Sequence, residues 1–141
     1  MNKIAEFFKA PGANVLQHGT AGNSTTFVGY LPTAGIKNIS LVVIATMGNS
    51  TDMTITVKTA DDSSGTNATV LTESAALWKD GVRATNANAF TEGAATGTYV
   101  YIFEIPAIII PADKYLGVYA DSGSASNKYT AIAIEDTFYK G

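Results

Sequence analysis

Asp52-Met53-Thr54-Ile55-Thr56-Val57-Lys58-Thr59 alternates apolar and polar side chains without a fault. Successive side chains of an extended chain point to opposite faces, so Met53, Ile55 and Val57 share one face and Thr54, Thr56 and Lys58 the other. A segment with this pattern is a strand with core on one side and water on the other. The stretch before it, residues 38–46, puts Ile39, Leu41 and Val43 on one face and keeps Val42 and Ile44 apolar on the other. That pattern predicts a central strand covered on both sides. Gly48-Asn49-Ser50 lies between the two and predicts that they pair as an antiparallel hairpin.

The period of two recurs downstream. Thr98-Tyr99-Val100-Tyr101-Ile102-Phe103-Glu104-Ile105 places Val100 and Ile102 on one face and Tyr99, Tyr101 and Phe103 on the other. Pro106 ends its regular pairing. Leu116 and Val118 are expected inside, with Tyr115, Gly117 and Tyr119 outside. A last strand over 128–138 offers Ile132 and Ile134 to the core, with Phe138 in phase. Residues 25–31 read as a short strand carrying Phe27, and 68–72 as a weak one. The span 85–97 is rich in Ala, Asn, Thr and Gly, has little to bury except Phe90, and reads as surface loop. Six to eight short strands with polar turns predict an all-β fold, a β-sandwich or jelly-roll-like barrel without a central helix. Ile55, Val57, Ile102, Leu116 and Ile132 are its expected core.

The first residues depart from this period. Ile4, Phe7 and Phe8 stand at i, i+3 and i+4, the spacing of one helical face, and Pro11-Gly12 stops it. A helix of two turns is unstable alone in water, so that face must pack on something. Residues 1–12 therefore read as an arm and 13–141 as the β-sandwich domain. The arm caps its own core, docks on a neighbouring subunit, or is an ill-ordered terminus.

At 141 residues the chain is one domain, a size that buries roughly 68–70% of its extended surface. Cysteine is absent, which removes disulfides, thiolate nucleophiles and Cys-ligated metal. Nine Lys and Arg stand against twelve Asp and Glu, with no basic run and a single arginine, Arg83. Binding to nucleic acid needs a local excess of cations, so that partner is not expected. The opening Met1-Asn2-Lys3-Ile4-Ala5-Glu6 lacks the apolar core of a secretory leader. The longest apolar run, 41–45, is far too short for a membrane helix.

Catalytic constellations are missing too. His18 is the one histidine, too few for the usual His-based metal sets, and it reads as a surface or interface residue beside Gly19. The oxygen-rich loop of Asp61, Asp62, Ser63, Ser64, Gly65 and Asn67 is a candidate for calcium. With Asp62 first, Glu73 does stand twelfth, but Asn67 occupies the sixth position where a calcium loop needs glycine. A solvated loop is the simpler reading. Neither a G-x-S-x-G elbow nor a phosphate-binding G-x-x-x-x-G-K-[ST] loop occurs. No enzyme, metal or cofactor is expected.

Taken in order, Val15-Leu16-Gln17-His18-Gly19-Thr20, the strand-loop-strand of 38–72, Tyr115-Leu116-Gly117-Val118 and the final alternating strand resemble small virion structural proteins of tailed bacteriophages. Within these the resemblance is to the capsid decoration type. It implies a non-enzymatic component on the capsid exterior that binds the major capsid protein as a homo-oligomer, with a trimer favoured. Such proteins grip the capsid with terminal arms or one end of the β-domain, which makes Ile4, Phe7 and Phe8 candidate interface residues. Tyr99, Tyr101 and Phe103 are further candidates, because aromatic side chains are enriched at interface centres. Two other readings stay open: a tail, neck or fibre component, and a carbohydrate-binding module using Tyr99, Tyr101, Tyr115, Tyr119 and Trp78 as a platform.

Overall fold

A computed structural model describes residues 13–20, 30–93 and 96–137, with side chains described only for 30–93 and 96–136. The arm residues Ile4, Phe7 and Phe8, the Phe27 strand and Phe138 lie outside the described residues, as does the side chain of His18. Among the described residues eleven strands make two antiparallel sheets, joined by loops and one 3₁₀ turn, and the fold is an all-β sandwich. The strands are β1 (Ala13–Thr20), β2 (Leu31–Pro32), β3 (Ile36–Met47), β4 (Met53–Ala60), β5 (Thr69–Val70) and β6 (Ala75–Lys79), followed by β7 (Val82–Ala87), β8 (Ala89–Glu92), β9 (Gly97–Pro106), β10 (Tyr115–Ser122) and β11 (Lys128–Thr137). The first sheet runs β1-β11-β3-β9-β6-β7, and the second runs β2-β10-β4-β5 with β8 also on β4.

The sandwich core forms where the inner faces meet. From the first sheet come Ile39, Leu41, Val43, Phe103, Ile105, Leu77 and Tyr129; from the second, Met53, Ile55, Val57, Leu116 and Val118. The expected phases of β4 and β10 hold: Ile55, Val57 and Leu116 are fully buried. The segment 38–46 is indeed central, flanked by β11 and β9.

Three expectations are corrected. β3 and β4 do not form a hairpin, because the 48–52 turn carries the chain from one sheet to the other and β3 pairs with β9 and β11 instead. The span 85–97 is not simply loop: it holds the end of β7, all of β8 and the start of β9, and β8 adds Phe90 to the core beside Ile55. Third, β9 and β11 are inverted relative to the expected phase. Tyr101 and Phe103 are buried, whereas Ile102 and Ile132 point to the outer face and are only half-buried. The reason is volume. Across one inner row Ala133, Leu41, Phe103 and Leu77 are successive partners, and in the next Ala131 stands by Val43 and Tyr101. Large rings on β9 fill the gap between the sheets, so β11 presents alanines inward and its isoleucines go out.

Two close approaches fix the second sheet. Tyr30 is buried with its ring against Gly117 on one side and Gly65 on the other; a Cβ on Gly117 would stand 2.5 Å from the ring. Gly117, expected to face outward, is buried because its missing side chain makes room for that ring. At the opposite end from Tyr30, Asn127 ties the 48–52 and 122–127 turns together. Its side-chain amide donates to the Thr51 carbonyl at 2.7 Å and to Ser122 Oγ at 2.9 Å, and its Oδ1 accepts from the Gly48 amide at 3.0 Å.

Substitution separates the two faces. Leu116→Ala should cost about 2–5 kcal/mol through lost transfer energy and the cavity left behind. Ile132→Ala, on the outer face, should cost less than half as much. Urea unfolding of the two variants checks this, and equal losses would contradict the inverted phase of β11.

Candidate functional site

Each polar cluster that could carry chemistry is engaged by its own surroundings. In the 61–67 loop, Asp62 Oδ1 accepts from the Ser64 amide at 2.9 Å, Ser64 Oγ at 2.7 Å and the Thr66 amide at 3.1 Å, while Oδ2 accepts from Thr66 Oγ1 at 2.6 Å. These donors, Thr66 Oγ1 first, hold the Asp62 carboxyl far below the usual range. Asp61 pairs with Lys114 and accepts from Asn67 at 2.8 Å, and both contacts lower its pKa. Asn67, sixth from Asp62, has φ 52°, a left-handed conformation that asparagine tolerates in glycine's place. Asp62 thus serves as the loop's internal scaffold, with its oxygens turned to the loop's own amides and hydroxyls, while Asp61 ties the loop to Lys114. Among the described residues no three His, Cys, Asp or Glu side chains cluster as metal ligands.

A second cluster had no signal in the sequence. Glu92, at the end of β8, is 3% exposed and sits with its carboxylate 2.6 Å from Lys79 Nζ, while the Tyr101 hydroxyl donates to the same oxygen. Lys79 also lies 5.0 Å from the centre of the Tyr99 ring and 5.4 Å from that of Tyr101. The Glu92 bond raises the lysine pKa, so the ammonium stays protonated and is no nucleophile. Phe90 stacks on Tyr101 with centroids 3.3 Å apart, closing the cluster from the core side. The three polar members come from β6, β8 and β9, so no local spacing marks them.

The aromatic candidates separate. Tyr101 and Phe103 are interior, which removes them as surface interface residues, and Tyr99 is half-buried beside Lys79. Tyr115 and Tyr119 are on the outer side of the second sheet, where Lys58 Nζ stands 4.2 Å from the Tyr119 ring centre. Trp78 is on the outer side of the first sheet with the Arg83 guanidinium 5.8 Å from its ring. Five rings expected as one platform therefore occupy three different surfaces. A shallow open recess of about 240 Å³, lined by Pro32, Thr33, Ala34, Asp113, Lys114 and Tyr115, holds no convergent set of polar groups.

Apolar surface is the other kind of candidate. Ile132, Val42, Ile102 and Trp78 are successive cross-strand partners on the outer face of the first sheet. Ile134, Ile44 and Val100 widen this row above and below, and all seven are at least partly exposed. At the end of the sandwich where β1 begins, the 3₁₀ turn Ala107–Ile109 holds Ile108 at 91% exposure.

No family model matches this chain, and neither a curated protein nor a solved structure matches it.

Two measurements follow from these groups. Tyr30 and Tyr101 are pushed up to about 12, mainly by burial, and burial also raises Tyr129. A tyrosine whose folded pKa lies above its unfolded value of about 10 gives stability that is complete below pH ~10 and lost as pH rises toward the folded pKa. Unfolding midpoints should therefore fall from about pH 10 upward. Among the described residues Tyr129 Oη, which is buried, has no hydrogen-bond partner, so Tyr129→Phe should leave neutral-pH stability unchanged or raised and make the alkaline decline shallower. Thermal midpoints in calcium and in excess chelator should agree; stabilisation by several degrees in calcium would restore the 61–67 loop as a metal site.

Proposed function

We propose that this chain is a non-enzymatic structural protein of a tailed-phage particle, a capsid decoration protein that binds the major capsid protein on the shell exterior. The observation that carries this reading is Ile108. It stands 91% exposed on a turn framed by Pro106 and Pro111 and closed by the Ile110 amide donating to the Ala107 carbonyl at 3.0 Å. A proline-framed turn loses little freedom on binding, so an isoleucine there is a preorganised apolar anchor. Burying it would contribute about 1.5–3 kcal/mol. Ala13 is level with Ile134, Ser40 and Glu104, two residues from Pro106, so residues 1–12 join the domain at the same end. Ile4, Phe7 and Phe8 add three apolar side chains within chain reach of that anchor.

Several weak contacts engaging together give durable attachment, and a protein that binds only the assembled shell stabilises it by mass action. A tail, neck or fibre component would use the same end in the same way and differs only in where it attaches. The carbohydrate-binding alternative is weakened, because of its five rings only Tyr115 and Tyr119 share an outer face. In this reading the protein performs no reaction: its buried carboxylate is paired with Lys79, and its loop aspartates are engaged by Ser64, Thr66, Asn67 and Lys114.

Purified protein should bind capsids that lack it. Ile108→Asp and a chain starting at Gly12 should each bind at least tenfold more weakly, since loss of one buried apolar anchor is worth more than 1.4 kcal/mol. Full binding by both variants would remove the proposed end as the contact. Failure of the full-length chain to bind, or its localisation to the tail, would remove the decoration role.

A further inference from the structure

We infer that the outer face of the first sheet binds a second copy of the same chain, face to face about a two-fold axis. This goes beyond the capsid reading and stands on the outer face alone. Along the row Ile132–Val42–Ile102–Trp78 four strands in register carry large apolar side chains outward. Ile134, Ile44 and Val100 border it, so the apolar band is contiguous. Glu104, at its lower margin, accepts from Ser40 Oγ at 2.7 Å and is held within its own sheet.

Charge then selects the occupant and the register. On β11 Lys128 stands four residues before Ile132 and Asp136 four after, and even spacing keeps all three on the outer face. Both ends are exposed. A two-fold axis lying in the interface along the apolar row exchanges the upper and lower ends of each strand. It therefore lays Lys128 of one copy over Asp136 of the other, and does so twice. No unrelated surface is needed to explain this arrangement, because the face is complementary to itself, as an isologous contact requires. Aligned sheets pack face to face with their strands within about 30°.

The area suffices. Six strands form this sheet, and at about 4.8 Å per strand and about eight residues of 3.3 Å each they cover roughly 750 Å². A standard interface buries about 800 Å² on each partner. The formal charge of −3 opposes pairing only weakly at ordinary ionic strength.

Sedimentation velocity over a concentration series tests the inference on the full chain. The expected result is a reversible dimer. Ile132→Glu should abolish it while the far-ultraviolet spectrum stays that of the parent. Lys128→Asp should weaken it about tenfold at low salt, because each two-fold copy then sets like charges together. Lys128→Asp combined with Asp136→Lys should restore it, a recovery that no partner other than a second copy predicts. A monomer at all concentrations, a trimer, or a dimer indifferent to these exchanges would overturn the inference. A full-length monomer that dimerises only when the chain starts at Gly12 would also overturn it, by giving the face to residues 1–11 of the same chain. Capsid binding plays no part in these readouts, so the two proposals fail separately.

Discussion

The gap between the two sheets has a fixed width, and the rings of β9 fill it. Stacked sheets sit about 10 Å apart, and interiors pack as densely as organic crystals. Phe103 and Tyr101 project into that space, and Phe90 arrives from β8 to stack on Tyr101 and to lie 5.9 Å from Phe103. Leu41 and Val43 of β3 and Leu77 of β6 stand beside them in the same rows, which leaves little volume for the next side chains along, on β11. Strand β11 meets the constraint with Ala131 and Ala133, and its isoleucines are left on the outside. The apolar outer band is thus a consequence of how the inner face is filled.

Two buried polar side chains, Glu92 and Asn127, follow a different rule: each is held by partners from other strands and turns. Burying an unpaired carboxylate would be far more costly than burying an amide. Glu92 is tolerable because Lys79 and Tyr101 meet it from neighbouring strands, and Lys79 keeps its head partly in solvent, which moderates the desolvation cost. Asn127 plays the equivalent part between turns, accepting from the Gly48 amide and donating to the Thr51 carbonyl. The exposed Ile108 turn lies at one end of the sandwich and the row Ile132–Val42–Ile102–Trp78 crosses the outer face of the first sheet, so the two proposed contacts would use different residues.

By itself the sequence determined the all-β class, the phase of β4 and β10, and the central place of β3. Those strands are legible because alternation is one-sided in β4 and β10, and because apolar residues on both faces of β3 leave it nowhere to be except between neighbours. It also excluded cysteine chemistry and histidine-rich metal sites, since those depend on residues being present at all. The tertiary structure alone decided which face of β9 and β11 turns inward. Alternation defines two faces, but when both are apolar their order depends on volumes supplied by strands far along the chain, as Leu41 and Phe103 do for Ala133. It likewise decided that the 48–52 turn crosses between sheets, and that Glu92 meets Lys79 and Tyr101. Each of these rests on partners brought together by folding, and no spacing along the chain encodes them.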